Sequence, residues 1–211
     1  MKSHLSLLVA AALCVTAPGF AVADDAEAAA VPAKVAATQD ALRDLWIGHV
    51  FWVRDVVKAR LAGDGEQAKA AEQQVVANAQ AIAGAIEPFY GAAASDRLFE
   101  LLAGHWGAIS DYLDATIADR SRRQDSAAES LSTNAGEIAA FLSSANPNWP
   151  EDTLRGLLAA HGAHHIQQIR QLRAGQHEEE AATWAAMKDH MYVIADALTA
   201  GLAKQFPEKF E

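Results

Sequence analysis

The stretch LWIGHVFWV at residues 45–53 is followed by LLAGHWGAI at residues 101–109 and by LLAAHGAHH at residues 157–165. Successive stretches begin 56 residues apart, so one leucine and one histidine recur in a single register. Similarity at a fixed period indicates a repeated supersecondary unit. We therefore predict three tandem copies of a 56-residue unit, at residues 39–94, 95–150 and 151–206.

The same register continues beyond these stretches without a gap. Two further series keep it, namely Asn78, Asn134 and His190, and Ile82, Ile138 and Ile194. An Ala-rich chain could produce one such series by chance, but not easily a histidine, a polar and an isoleucine series in one register. The repeat is therefore the strongest indication of how the chain is organised.

Apolar residues recur at helical spacing from residue 39 onward, and no alternating pattern suggests a strand. Predicted breaks fall at residues 62–65, 88–91, 120–125 and 146–150, and at Gly175. Pro150 followed by two acidic residues predicts a helix start, because proline fits the first turn and acids complement the helix dipole. The predicted fold is all-α, with six main helices arranged as three αα-hairpins.

The connections predict how the hairpins assemble. Short loops between equal hairpins favour a closed up-down bundle, in which the polar positions of the three units form one layer. An open stack of hairpins, with the polar positions in a row, is the alternative. In each unit the histidine precedes its polar partner by 29 residues with the turn midway, so the two should face each other across the antiparallel helices.

The first two units pair His49 with Asn78 and His105 with Asn134. His49 and Asn78 share helix stripes with apolar residues and are predicted to point inward. A histidine opposite an asparagine in a helical core is typical of a hydrogen-bonded pair, since an unpaired buried polar group costs about 1–3 kcal/mol. We favour this packing role for these two units. The same four residues are the candidate lining of a ligand-binding layer.

The third unit carries additional histidines where the other units have apolar or amide side chains. His161 and His165 are spaced i, i+4, which lets two imidazoles bind one ion, and His190 is predicted to lie opposite them. His164 or Asp189 could assist. Three neutral imidazoles plus water suit Zn²⁺, Cu²⁺ or Ni²⁺. The predicted metal ligands are therefore His161, His165, His190 and His164.

Charge and motifs argue against several functions. The net charge of −10 and the single short basic cluster, Arg120 to Arg123, argue against nucleic-acid binding, and we interpret the cluster as a solvated loop. Glu178 to Glu180 are predicted to be a solvated run at a helix start. No nucleophile with a local base, Gly-rich phosphate loop or Ser-x-x-Lys motif supports enzyme activity.

The N-terminus is typical of an exported protein. Lys2, an apolar run from Leu5 to Val15 and Ala21-Val22-Ala23 predict a signal peptide at residues 1–23, cleaved after Ala23. The run is shorter than the roughly 20 apolar residues that span a bilayer. Residues 24–38 are predicted to be a flexible tether, residues 39–211 a single helical domain, and the location periplasmic or secreted.

Four blocks of the sequence resemble a family of bacterial helical proteins of unknown role. The blocks are LWIGHVFWVR at 45–54, AIEPFYG at 85–91, FLSSANPNW at 141–149 and QFPEKF at 205–210. They occur in the family's order and extend over about residues 41–210. Some members carry the label glycosyltransferase, but this sequence has neither a nucleotide-sugar fold nor an Asp-x-Asp motif to support that activity.

The resemblance also bears on the candidate site. Five positions follow the family pattern, namely His49, Asn78, His105, Asn134 and His161. His164 and His165 stand where the family usually has Leu and Thr, and Lys188 where it often has His. The third-unit cluster therefore departs from what the resemblance implies to be shared. We predict an exported helical binding protein with a histidine-lined core layer; the alternative is a structural or protein-interaction module whose polar layer only fixes helix packing.

Overall fold

A computed structural model describes residues 33–210. The chain forms α1 (Ala33–Ala62), α2 (Gly65–Gly84), α3 (Glu87–Tyr90), α4 (Ala92–Ile117), α5 (Ser121–Ala145), α6 (Glu151–Ala174) and α7 (His177–Gln205), followed by a 3₁₀ turn at Pro207–Lys209. Residues 33–210 contain no strand, so the all-α prediction is confirmed. The predicted signal peptide and residues 24–32 of the predicted tether lie outside the described residues.

Capping residues, glycine and proline account for several of the helix boundaries. Asp64 precedes α2, and its side chain accepts a hydrogen bond from the backbone N–H of Gln67 at 3.0 Å, which satisfies a donor that the first turn leaves free. Gly175 ends α6 in the left-handed conformation, with φ of 71°, a conformation that glycine adopts without steric strain. As predicted, α6 begins directly after Pro150.

Two predicted boundaries differ from the structure. Helix α1 begins at Ala33, so residues 33–38 are helical and do not belong to a flexible tether. Alanine and lysine are good helix formers, and Val35 packs against the core, which explains the extension. The break expected at residues 120–125 lies earlier, because Asp119 turns the chain at φ of 51° and α5 starts at Ser121.

The six long helices pack side by side. Helix α1 packs against α2, α6 and α7, and α4 packs against α2, α5 and α6. Helix α6 contacts α1, α4, α5 and α7, so its side chains face helices on several sides. The histidines of α6 are therefore in a position to meet residues from several helices.

The apolar core consists of two clusters, and the histidines lie where they meet. On α1 the first cluster reaches Val50 and the second begins at Val53. On α4 the first cluster ends at Leu102 and the second begins at Trp106. His49 and His105 occupy this boundary, so a polar layer separates two dry regions.

Several residues of the family-like blocks meet at one end of the helices. Tyr90 donates a hydrogen bond to Gln205 Oε1 at 2.7 Å and accepts one from Asn146 Nδ2 at 3.0 Å. Trp149 packs so closely on α7 that a Cβ at Gly201 would lie 1.9 Å from its Nε1. These blocks thus join the connecting segments to α7. No helix within residues 33–210 has the length and apolar character needed to cross a membrane.

Candidate metal centre

Four imidazoles from three helices meet in the polar layer. His49 lies on α1, His105 on α4, and His161 and His165 on α6. Their exposed fractions are only 1–5%. The His161 ring centroid lies 5.5 Å from that of His49 and 5.4 Å from that of His105. The recurring histidines of the three units therefore meet inside the fold.

Three of these residues form the tightest group. The ligand atoms of His49, His161 and His165 all lie within 4.8 Å of one another. His161 Nε2 and His165 Nε2 are 3.2 Å apart and share one hydrogen bond. The i, i+4 spacing therefore brings the two α6 imidazoles together, as predicted. This triad is close enough to hold a metal ion.

The third member of the triad differs from the prediction. His190 lies outside the group, and its Nε2 donates a hydrogen bond at 2.8 Å to the backbone oxygen of Leu157. His164 packs against His190, with ring centroids 5.5 Å apart, and is also outside the triad. Both side chains are half-buried. The candidate ligand set that the geometry supports is therefore His49, His161 and His165, with His49 in the place predicted for His190 and without His164.

The asparagines of the first two units share one backbone contact but differ in their contacts with histidine. Asn78 and Asn134 donate through Nδ2 to the backbone oxygens of Leu45 at 2.9 Å and Leu101 at 3.0 Å. Asn134 Oδ1 also lies 3.0 Å from His105 Nδ1, which is the predicted cross-helix pair. Asn78 Oδ1 and His49 Nδ1 have no hydrogen-bond partner among residues 33–210.

Burial keeps the four imidazoles neutral. Removal from water and, to a smaller extent, the nearby His105 lower the pKa of His49 to about 3. Burial also lowers the pKa of His105 to about 4, against the opposing hydrogen bond with Asn134. For His161 and His165, burial and the neighbouring imidazoles hold the pKa well below the usual value near 6.5. Neutral imidazole is the form that binds a metal.

A buried ion pair lies one helical turn beyond the triad, and sequence reasoning missed it. Glu180, predicted to be solvated, is only 3% exposed. Arg54 donates two hydrogen bonds to it, each of 2.6 Å, and Gln168 Nε2 donates one of 3.1 Å. The Arg54 hydrogen bond is the main reason that the pKa of Glu180 is lowered. This carboxylate is therefore already neutralised and is not part of the triad.

On the other side of the polar layer lies a small apolar cavity of about 40 Å³. Trp46 lines it and also packs edge-on against His49 and His161, with ring centroids 6.1 and 6.3 Å apart. The histidines therefore have an apolar wall on this side. The Arg120 to Arg123 cluster is exposed, as predicted, but it is not a loop, because α5 begins at Ser121 and includes Arg122 and Arg123.

The fold and the site together define the class of this protein: it is an all-α protein in which a cluster of neutral imidazoles is enclosed between two apolar regions. Comparison with models of known families, with curated proteins and with solved structures finds no match to this chain. The geometry of the cluster is therefore the basis on which a function is proposed.

Proposed function

We propose that this protein binds one transition-metal ion, Zn²⁺, Cu²⁺ or Ni²⁺, through His49, His161 and His165. The observation that carries the proposal is the triad itself, three buried imidazoles whose ligand atoms lie within 4.8 Å of one another. Imidazole nitrogen is a preferred ligand of these ions, whereas Mg²⁺ and Ca²⁺ prefer oxygen. Within residues 33–210, no carboxylate joins the group.

The spacing of the two α6 imidazoles suits tetrahedral coordination. Metal–nitrogen bonds of about 2.0–2.1 Å place two ligand atoms about 3.3 Å apart along one edge of a tetrahedron. His161 Nε2 and His165 Nε2 are already 3.2 Å apart. The ion would take the place of the proton between these atoms, and the ring that carries this proton on Nε2 would hold it on Nδ1 instead, so both imidazoles stay neutral. His49 then needs to approach by only about 1–1.5 Å to reach the same spacing.

The surroundings of the triad favour slow exchange and strong selectivity for nitrogen-seeking ions. The ligands are uncharged and the only buried carboxylate among residues 33–210, that of Glu180, is paired with Arg54. The imidazoles are at most 5% exposed, so an ion reaches them only when the helices open transiently. Binding of a retained ion fits this enclosure better than turnover of an organic substrate.

Metal titration of the purified mature protein tests the proposal. Competition with a chelator of known affinity at neutral pH measures binding of Zn²⁺, Cu²⁺ and Ni²⁺. The decisive variant is His165→Ile, because the equivalent residue of the second unit, Ile109, is fully buried there. Loss of an outer-shell partner alone weakens binding 10–100-fold, so loss of a ligand should weaken it by at least about 100-fold.

His177→Ala is the matched control, because His177 is exposed at the start of α7. Its affinity should equal that of the unmodified protein. Equal, weak binding by all three proteins would reject the proposal. It would favour a second function, a packing or protein-interaction module, which the hydrogen bonds from Asn78, Asn134 and His190 to leucine oxygens of the facing helix also support.

We further propose that the three helix pairs are equivalent hairpins of one closed bundle. Support comes from three hydrogen bonds to leucine backbone oxygens. Their donors, Asn78, Asn134 and His190, follow one another at intervals of 56 residues, and so do their acceptors. The packing of α1 against α7 also supports a closed bundle. We propose that the resemblance to the bacterial helical family reflects this shared architecture. Because His165 departs from the family pattern, metal binding is proposed for this chain alone.

Export is a separate proposal, which rests on Lys2, the apolar run from Leu5 to Val15 and the Ala21-Val22-Ala23 site. The mature chain would begin at Asp24 in a periplasmic or extracellular location. The intact mass of the protein isolated from cells that express the full sequence tests this. A mass that retains residues 1–23 would contradict it.

A further inference from the structure

The fourth buried imidazole, His105, has one nitrogen that its surroundings leave unused. Its Nε2 is buried and has no hydrogen-bond partner among residues 33–210. The residue is only 3% exposed, so water does not reach this atom in the closed protein. A buried polar atom without a partner is unfavourable and needs an explanation.

Asn134 determines which nitrogen of His105 carries the proton. Its Nδ2 donates to the backbone oxygen of Leu101, so its Oδ1 is the atom that faces His105. An amide oxygen only accepts, and the neutral ring therefore has its proton on Nδ1. The unused Nε2 then carries a lone pair. This is the arrangement of a typical metal-binding histidine, with one nitrogen held by an outer partner and the other free for the ion.

The position of the ring places this nitrogen beside the cluster already described. The His105 ring lies against that of His161, with centroids 5.4 Å apart and planes inclined by only 12°. His105 is outside the group whose ligand atoms are all within 4.8 Å, so it must approach the ion as the ion binds. No other hydrogen bond to its side chain holds it back within the described residues.

We propose that His105 is the fourth ligand of the metal site and that Asn134 is the residue that positions it. This inference rests on the proposed metal-binding function and completes it, because four imidazoles fill a tetrahedral shell without water. A closed shell of protein ligands is the arrangement of structural metal sites, whereas catalytic sites keep an open position. The site would then hold its ion without presenting it to a substrate.

The first unit has the same histidine–asparagine pair, but without the hydrogen bond between the two side chains. Asn78 donates to Leu45 O as Asn134 does to Leu101 O, and its Oδ1 and His49 Nδ1 are both buried without a partner. We infer that His49, when it moves toward the ion, donates through Nδ1 to Asn78 Oδ1. Metal binding would therefore form a His49–Asn78 hydrogen bond equivalent to the His105–Asn134 hydrogen bond of the second unit.

X-ray absorption spectroscopy of the Zn²⁺-loaded protein tests the proposal, because it counts the imidazoles bound to the ion. We expect four imidazoles for the unmodified protein and three for His105→Phe, which keeps an aromatic ring but has no lone pair. The affinity of this variant should fall at least tenfold. His164→Phe is the matched control, because His164 lies outside the triad and packs against His190. It should keep four imidazoles and the original affinity.

Asn134 variants test the positioning role and provide a second measurement if His105→Phe does not fold. Asn134→Ala removes the acceptor of the Nδ1 proton and should weaken Zn²⁺ binding about 10–100-fold. Asn134→Asp retains an acceptor facing His105 and should recover most of that affinity, which a purely structural role for Asn134 would not produce. Circular dichroism of the metal-free variants verifies that the helices are retained.

The outcomes separate this inference from the proposed function. If the unmodified protein binds no Zn²⁺, Cu²⁺ or Ni²⁺, the metal-binding function itself is wrong. If it binds Zn²⁺ with three imidazoles, and His105→Phe and Asn134→Ala bind as tightly as the unmodified protein, the triad is the whole site. In that case only the fourth ligand is rejected.

Discussion

The second and third units place a histidine and a polar partner at the same spacing, yet the two pairs behave differently. His105 Nδ1 lies 3.0 Å from Asn134 Oδ1 in the second unit. In the third unit, His161 contacts His165 at 3.2 Å, while His190 donates to Leu157 O. The equivalent spacing thus gives a cross-helix pair in one unit and an intrahelical pair in the other.

The residue one turn after the histidine explains this difference. Ile109 offers His105 no hydrogen bond, and the amide of Asn134 is its partner. At the equivalent position His165 offers a second imidazole on the same helix face. The difference between Ile109 and His165 therefore decides whether the histidine has a second imidazole beside it on its own helix.

The residue before the histidine also differs between the units: it is glycine in the first two and alanine in the third. A Cβ at Gly104 would lie 3.2 Å from Asn134 Nδ2, and one at Gly48 would lie 3.1 Å from Asn78 Nδ2. Both amides therefore approach the backbone of the facing helix so closely that a side chain at the glycine would require them to shift by a few tenths of an ångström. The third unit has Ala160 at this position and His190 in place of the amide.

The largest effect that we predict is a loss of stability in acid, because all units contribute a buried neutral histidine. Where burial lowers the folded-state pKa, stability is complete above the unfolded pKa and declines as pH falls below it. With folded pKa values of about 3 for His49 and 4 for His105, each should lower the free energy of unfolding by about 2 kcal/mol between about pH 7 and pH 5. Urea unfolding of the metal-free protein measures this.

The comparison between units provides the control for this measurement. His165→Ile gives the third unit the apolar residue of the second, so its free energy of unfolding should fall less steeply with pH. His177→Ala, in which the histidine that is replaced is exposed, should leave the slope unchanged. A free energy of unfolding that is equal at both pH values would mean that the imidazoles are protonated or solvated in the folded protein.

The two asparagines should differ by a smaller amount. Asn134 makes two hydrogen bonds and is 8% exposed, whereas Asn78 makes one and is half-buried. At about 1 kcal/mol for each hydrogen bond, Asn134→Ala should destabilise the metal-free protein by about 2 kcal/mol and Asn78→Ala by about 1 kcal/mol. Chemical denaturation of both variants gives the difference. Equal destabilisation would show that the two units are paired alike in solution.

Much of the fold could be predicted from the sequence because helix periodicity and turn residues act locally. The breaks at Gly63 and Asp64, at Pro150 and at Gly175 follow from backbone preferences that do not depend on distant residues. The meeting of His49, His105 and His161 followed from the 56-residue register together with helical packing. The start of α1 was missed because its Ala-rich first turns lack periodicity, although Val35 packs against the core.

The ligand set was harder to predict because it depends on side-chain direction. The spacing predicted that His190 faces His161, but His190 Nε2 donates a hydrogen bond to the backbone oxygen of Leu157 instead. Glu180 was taken as solvated because acids are common in a first helical turn, and its partner Arg54 lies 126 residues away. Its spacing of three from Thr183 and seven from Met187, both buried, is the signal that could have identified it.

The smallest effect should come from converting the third unit to the pattern of the other two. The double variant His190→Asn, Ala160→Gly supplies the amide and the glycine that leaves room for it. Asparagine can donate to Leu157 O as Asn134 does to Leu101 O, so we expect destabilisation of at most about 1 kcal/mol, the usual effect of glycine in a helix. Zn²⁺ affinity should stay within about twofold, because His190 lies outside the triad. Chelator competition and urea unfolding of the double variant measure both quantities. An affinity loss comparable to that of His165→Ile would return His190 to the ligand set and would mean that the metal-bound helices α6 and α7 pack differently from the arrangement described.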